Sequence, residues 1–369
     1  MILNSIADNF EHVSGIDLAK NFFQVYEMHG NVKKTSNIKL QRNKVILHFS
    51  NKPNSLIFIE KCGGSDFWAR QLEKLGHTVK MIAPQHVKKY LNHPGQKTDH
   101  HDAEAIARCG MQPNTKFIKI KTPEQQSINA LHTIRQDIIS RRVAISNQIR
   151  GHLTEFGIVA PKGIKSFKEE LPKLMAKCEE LCDSDLLDAI HDLQEEFRNC
   201  EEKEEKYTKI IRQKSSKDEL CKLAESVPGV GELTASAVVA AVGNAKQFES
   251  SKEMSAWVGL VPREHSSGGH QRSGKITKHG DPYIRRNLIL GAQSIVRTCT
   301  FIEENRKTQL HKFAQKLLTK GKLHNQVVAA VAHKMIRVLW AVLTTNKKFK
   351  SDVDPNKGAS SSHVPELDL

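Results

Sequence analysis

The sequence predicts an α/β domain followed by a longer, mostly α-helical remainder. Up to about residue 83, short strand-like runs alternate with an amphipathic helix, the pattern of an α/β layer. Beyond Thr122, apolar residues recur at helical spacing over long stretches. The expected divisions are 10–120 for the α/β domain, 121–222 for a coiled-coil helical region, 223–345 for a mostly helical C-terminal domain, and 346–369 for a frayed tail of loop composition.

His12-Val13-Ser14-Gly15-Ile16-Asp17 reads as a strand ending on a carboxylate. Phe22 to Tyr26 continues in strand-like composition and His29-Gly30-Asn31 supplies a turn, together an antiparallel meander. Leu56-Ile57-Phe58-Ile59-Glu60 is an apolar run typical of a central strand, again ending on a carboxylate. Gly63-Gly64 breaks it, Phe67 to Leu75 forms a short helix stopped by Gly76, and Thr78 to Ala83 is another strand. In the stretch from Lys97 to Ala107, Thr98 can cap a helix that Ala103, Ala105 and Ala107 propagate.

Asp99 and Asp102 are three apart and so are neighbours on one helix face. Such like charges repel unless something positive lies between them. A divalent ion such as Mg²⁺ would serve, and an acidic first turn complementing the helix dipole is the plainer reading. Reactive groups gather at strand ends in α/β sheets, so Asp17 and Glu60 are expected side by side with the Asp99/Asp102 helix near them. Four converging carboxylates would make a two-metal site for phosphodiester chemistry. Taken singly, Asp17 also suits a turn and Glu60 a solvated strand end.

Thr122-Pro123-Glu124-Gln125 has capping-box spacing, and Ile128, Leu131, Ile138, Ile145, Ile149, Leu153 and Phe156 then mark one helix face. After a break at Pro161 to Gly163, a second helical region runs from about Phe167 to Leu223, with interruptions expected near Pro172 and around Ser215. Glu179 to Glu205 contains twelve Asp/Glu against two Arg/Lys, so it would repel nucleic acid. It reads as a solvated arm, a dimerising surface or an intramolecular hairpin.

Val227-Pro228-Gly229-Val230-Gly231 resembles the turn of a helix-hairpin-helix module, in which Gly229 and Gly231 would let backbone amides hold a phosphate. From Arg263 to Arg286 there are six Lys/Arg against two acidic residues, with serines among glycines: a loop or short hairpin between helices at Ser251 to Val258 and Pro282 to Cys299. Arg263, Arg272, Lys275, Lys278, Arg285 and Arg286 are the candidate nucleic-acid contacts. Ser266, Ser267 and Ser273 are candidate nucleophiles on chemistry alone, with the cations offsetting charge at phosphorus. Leu323 to Leu343 is an apolar helix that should close a core.

An excess of 56 Lys+Arg over 41 Asp+Glu, a formal charge of +15, favours a polyanionic partner. Nucleic acid suits this better than a membrane surface, since no long basic amphipathic helix with aromatic anchors stands out. No run approaches the roughly twenty apolar residues of a membrane span. Met1 to Phe10 lacks a signal-peptide pattern, so a cytoplasmic location is expected. Seven cysteines without a CxxC pair argue against a disulfide framework or zinc site; Cys178 and Cys182, on one helix face, read as reduced structural thiols.

In this order the motifs resemble those of the DEDD transposases, the serine-dependent insertion-sequence recombinases that include Piv-type invertases and bridge-RNA-guided enzymes. Gly15-Ile16-Asp17 resembles the first acidic motif, Ile59-Glu60 the second, and Lys97-Thr98-Asp99 through Asp102-Ala103 the paired third and fourth. Val227 to Gly231 and the stretch from Ser266 to Asp281 resemble the C-terminal transposase domain. The likeness spans about residues 10 to 345. It implies a RuvC/RNase H-like N-terminal domain, a coiled-coil insertion, and a C-terminal domain bearing the nucleophilic serine. Aligned on Pro262 and His265, that serine falls on Ser267, with Ser266 beside it. The resemblance further implies Mg²⁺ at Asp17, Glu60, Asp99 and Asp102, a covalent phosphoserine, donor and target DNA, composite sites in a dimer or tetramer, and a structured guide RNA. Two other readings fit parts of the sequence. A metal-dependent junction resolvase would use the carboxylates with water as nucleophile, and a non-catalytic nucleic-acid scaffold would use only the charge and hairpin.

Overall fold

Period-two alternation builds the first of two compact units, Met1–Thr122. The computed structural model describes residues 10–29, 32–91, 99–264, 273–303 and 306–350, without the side chains at 32–34, 99–100, 264 and 273. Strands β1 (His12–Leu18), β2 (Phe22–His29), β3 (Val32–Gln41), β4 (Leu56–Glu60), β5 (Thr78–Ile82) and β6 (Phe117–Ile118) form one mixed sheet in the order β3-β2-β1-β4-β5-β6. β1, β4 and β5 run parallel, while β2 and β3 add an antiparallel ribbon and β6 closes the other edge antiparallel to β5. Helices α1 (Val45–Ser50) and α2 (Ser65–Lys74) supply Val45, Phe49, Trp68 and Leu72 to a core with Ile16, Ile57 and Ile59. Helices α3 (Pro84–Val87) and α4 (Asp99–Gly110) supply Val87, Ala105, Ile106 and Cys109 to a second core with Val13, Leu56 and Phe58. Neighbours along β1 and β4 thus feed opposite faces.

β3 carries no apolar run in the sequence, and α1, whose Val45-Ile46-Leu47 is one, is too short to show a helical period. β3 is an edge strand of mostly polar composition, as edge strands that avoid further pairing usually are. α1 is held to β2 through the buried Glu27, which accepts hydrogen bonds from His48 (2.9 Å), Ser36 (3.2 Å) and Lys52. Burial alone would raise the Glu27 carboxyl, but His48 and Lys52 reverse that and hold it at about 2.

The second unit, Pro123–Leu369, is helical with one two-stranded hairpin. Its elements are α5 (Pro123–Glu155), α6 (Ile164–Leu181), α7 (Ser184–Ser215), α8 (Glu219–Glu225), α9 (Glu232–Val242), α10 (Ser251–Val258), β7 (Pro262–Glu264), β8 (Ser273–Ile276), α11 (Pro282–Thr298), α12 (Gln309–Thr319) and α13 (His324–Thr345). The apolar stripe of α5 is shorter than its spacing predicts: Ile138, Ile145, Ile149 and Leu153 are buried, but Phe156 lies past the helix and is exposed. Pro172 does not interrupt α6. It sits on the exposed side, where water can take the carbonyl its missing N–H leaves free, while Leu171, Leu174, Met175 and Cys178 stay buried. The break comes at Cys182-Asp183, where the Asp183 carboxylate accepts the Leu186 N–H at 2.9 Å and caps α7. Burial pushes the Cys178 thiol up to about 12, and its sulfur lies 3.0 Å from that of Cys182.

The acidic stretch folds back on its own chain. α7 packs antiparallel on α5 through Arg135–Glu204 (3.1 Å), Arg142–Glu204 (2.7 Å) and Lys168–Glu201 (2.8 Å), the last from α6. Local basic residues therefore answer part of its charge. α13 corrects the expectation that no run could span a bilayer, since by length and composition it is long and apolar enough. It is instead the central helix of this unit, with Val327, Val331, Met335, Leu339 and Leu343 all buried.

One close contact fixes α4 on the sheet. A Cβ at Gly15 of β1 would lie 2.4 Å from the Ala103 carbonyl oxygen and 2.6 Å from the Ala107 nitrogen. Both are backbone atoms, so they cannot swing aside. Gly15→Ala should lower the free energy of unfolding by about 1–3 kcal/mol in urea titration; unchanged stability would show that α4 can move off β1 freely.

Candidate active site

The alternation of β1 and β4 selects which carboxylates face α4. Val13 and Leu56/Phe58 belong to the core on the α4 side, so Gly15 and Asp17, and then Glu60, continue on that side. The parallel register pairs Ile16 with Ile59, which leaves Asp17 and Glu60 one step further along adjacent strands. Their proximity is felt at Cys62, whose thiol is raised by desolvation and then by the charges of Asp17 and Glu60. Half-buried Asp102 immediately precedes Ala103, the residue whose carbonyl meets Gly15. Asp99 is the first residue of α4, one turn before Ala103. Its side chain, and Thr98 altogether, lie outside the described residues. Among the described residues no three His, Cys, Asp or Glu side chains cluster closely enough to hold a metal ion. The available donors at this edge are carboxylate oxygens, the hard ligands that Mg²⁺ and its relatives take.

The serine stretch forms the predicted hairpin, β7 paired antiparallel with β8. Ser266, Ser267 and Arg272 lie outside the described residues; Arg263 and Lys275 are exposed on its strands and Lys278 just after them. Its base is tightly fastened. A Cβ at Gly259 (φ +75°) would lie 2.0 Å from the His279 oxygen, and one at Gly280 (φ +91°) 1.9 Å from the Trp257 oxygen. Arg285 spans the same junction, donating to the carbonyls of Val258 (3.1 Å) and His279 (3.3 Å). Arg286 lies over the Tyr283 ring at 5.6 Å and donates to Gln136 Oε1. These two arginines thus have structural partners that their sequence positions do not reveal.

The helix–turn–helix at Gly229 is present between α8 and α9. Gly229 adopts φ +81°, and its close neighbour is the backbone of α11: a Cβ there would lie 2.8 Å from the Gly291 oxygen. Gly231 starts α9 with open space around it and no side-chain cap.

Comparison with known proteins decides the family. A model described as "Transposase", of the DEDD type of IS110, matches residues 14–158, and one described as "Transposase IS116/IS110/IS902 family" matches residues 221–311. A "Probable family 20 transposase" of Pseudomonas aeruginosa is 37% identical over 331 residues, covering 89% of this chain and 96% of that protein. The chain belongs to the IS110/IS116 family of transposases. The transposase for insertion sequence element IS1111A of Coxiella burnetii is 33% identical, covering 92% of this chain and 91% of its own. The pilin gene-inverting protein of Moraxella bovis is 24% identical over 359 residues, covering 91% and 96% respectively. As a transposase, the protein is an enzyme that cuts and rejoins DNA.

The transposase also holds a polar centre that the sequence does not single out. His132 of α5 is 4% exposed and bonds Tyr283 Oη through Nδ1 (3.0 Å) and Ser236 Oγ through Nε2 (3.1 Å), joining α5, α11 and α9. A histidine on the face of α5 that carries Ile128 is the one available hint, and it gives no partner. Burial, with help from Arg135 and opposition from Asp281, lowers the imidazole to about 4. An unfolded histidine titrates near 6.5. Between those values the unfolded chain binds a proton that the folded chain refuses, so stability falls as pH drops through this window. His132 alone should remove about 2 kcal/mol between pH 7 and pH 5. In urea titrations, His132→Gln should be less stable at pH 7 and lose less between the two pH values. An equal loss in variant and wild type would assign the pH effect elsewhere, with His333, also lowered to about 4 by burial, as the next group to change.

Proposed function

We propose that this transposase cuts DNA by transesterification, with Ser267 as nucleophile and Asp17, Glu60, Asp99 and Asp102 as the holders of Mg²⁺. The observation that carries this reading is the alignment of Asp17 and Glu60 near the C-terminal ends of adjacent parallel strands, on the face where Gly15 seats the helix bearing Asp99 and Asp102. The sheet order, with its antiparallel β2–β3 ribbon beside parallel β1, β4 and β5, supports the RuvC-like reading of residues 10–120. When bound, the metal supplies Lewis-acid stabilisation of charge on the phosphate oxygens. The Ser267 hydroxyl attacks the scissile phosphorus, and the bond to the leaving strand breaks as the phosphoserine ester forms. Arg263, Lys275 and Lys278 line the hairpin that carries the serine and offset charge there. A hydroxyl of the second strand then displaces the serine, so the energy of the phosphodiester is kept for rejoining. The likeness to bridge-RNA-guided members supports a structured RNA as the selector of donor and target, acting on a dimer or tetramer with shared sites.

Asp17→Asn, Glu60→Gln and Asp102→Asn should each abolish strand cleavage while leaving DNA affinity within a few-fold; cleavage by all three would remove the metal reading. Lys275→Ala with Lys278→Ala should weaken binding and lower the slope of log K against log salt by about 2. An unchanged slope would take this hairpin off the phosphates. Mass spectrometry of protein trapped on nicked DNA should find the adduct on Ser267. An adduct on Ser266 would shift the register, and cleaved ends without adduct would favour water as nucleophile.

A further inference from the structure

We infer that the first unit holds a separate binding site for an unpaired nucleotide, in a groove between the β1–β2 turn, the end of β3 and the start of α2. The groove is lined by Phe22, Arg42, Phe67 and Trp68, with the amides of Asn21 and Asn43 beside them. Gln41 adds a third amide. Phe22 and Phe67 are 41% and 46% exposed, although each adjoins a buried aromatic that shows how they could have been covered. Arg42 is held in place: its guanidinium lies 5.2 Å from the Trp68 ring centre and 5.7 Å from that of Phe23, and it donates to the Lys20 carbonyl at 3.3 Å. Lys39 lies 4.9 Å over the ring of Phe22.

The composition of the groove selects its occupant. Two exposed rings offer stacking surfaces to a base, which any base can use. The stacked Arg42 guanidinium and the Lys39 ammonium over Phe22 favour a phosphate, and no acidic side chain lines the groove among the described residues. An apolar protein segment would bury the three amides without partners, at a cost; base edges would satisfy them. The position has a consequence for chemistry. Asp17 pairs with Gln24 and Leu18 with Phe23, so the β1–β2 turn that borders the groove follows the strand end that carries Asp17, while Trp68 packs in the core on the opposite face of the sheet. A base paired and stacked within a duplex cannot present its face to either ring, so the site takes a nucleotide already unstacked, from displaced DNA or from RNA.

The site is read by binding, so its failure is separable from that of the serine and metal proposal. Short oligothymidine and oligouridine carrying one 2-aminopurine, and a duplex of matching length, are titrated with the full chain. Stacking should quench the 2-aminopurine, and Phe22→Ala with Phe67→Ala should weaken single-strand binding by about 5- to 150-fold per stacked base. Duplex affinity should stay within two-fold or so, and Phe67→Trp should retain the quench. Arg42→Gln should keep the quench and lower the single-strand salt slope by about 1. Loss confined to oligothymidine assigns a displaced DNA strand; loss confined to oligouridine assigns RNA. Asp17→Asn and Ser267→Ala should quench as wild type does, whatever they do to cleavage. Equal losses on duplex and single strand, or a quench that survives removal of both rings, would overturn the site. If the double variant unfolds, Phe67→Ala alone and Arg42→Gln carry the same two readouts.

Discussion

The arrangement of the first unit depends on the contact between Gly15 and the backbone of α4. A helix normally stands off a sheet by the length of the side chains between them, about 10 Å axis to plane for packed layers. Removing the side chain at one strand position, and using alanines on the helix, lets main chain rest on main chain. The gain is positional: the helix that carries two of the acidic residues is drawn to the strand end that carries a third, and β4 brings the fourth by register alone. The same device recurs in the second unit, where Gly229 meets Gly291, Gly259 meets the backbone of His279, and Gly280 meets that of Trp257 in the last turn of α10. Each time, the joined segments flank a stretch with a proposed role toward phosphate.

Charge is distributed by unit and by element rather than spread evenly. The formal excess of +15 coexists with an acidic helix that a basic face of α5 and α6 partly neutralises. Pairing those carboxylates internally removes part of the acidic charge that would offset the cations of the rest of the chain. Net charge alone therefore understates how far the basic surfaces favour nucleic acid.

The sequence discloses features set by local rules and conceals those set by tertiary ones. Strand ends at Asp17 and Glu60 were legible because apolar runs stop there, and α4 because capping and alanine content mark it. Polar edge strand β3 was not, since its hydrogen bonds to β2 rather than its side chains make it a strand. Pro172 misled because its helix penalty is local, whereas the buried stripe on either side of it is paid back by packing across the bundle. Arg285 and Arg286 read as phosphate contacts until the Val258 carbonyl and the Gln136 side chain, supplied by other segments, come into view. The polar centre at His132 is the extreme case: its partners lie 104 and 151 residues away in sequence.

The place of α13 in the chain sets an order of events during synthesis. The sheet of the first unit is complete once residue 118 has emerged, so that unit can fold while the rest is being made. The second cannot: α8, α10, α11 and α12 all pack against α13, which begins at His324. Their apolar faces must wait, exposed, for a helix that is itself hydrophobic enough to be mistaken for a membrane span. A newborn chain therefore carries a finished carboxylate-bearing half well before it owns a stable half bearing the serine, and the interval between them is when chaperones or premature aggregation would act.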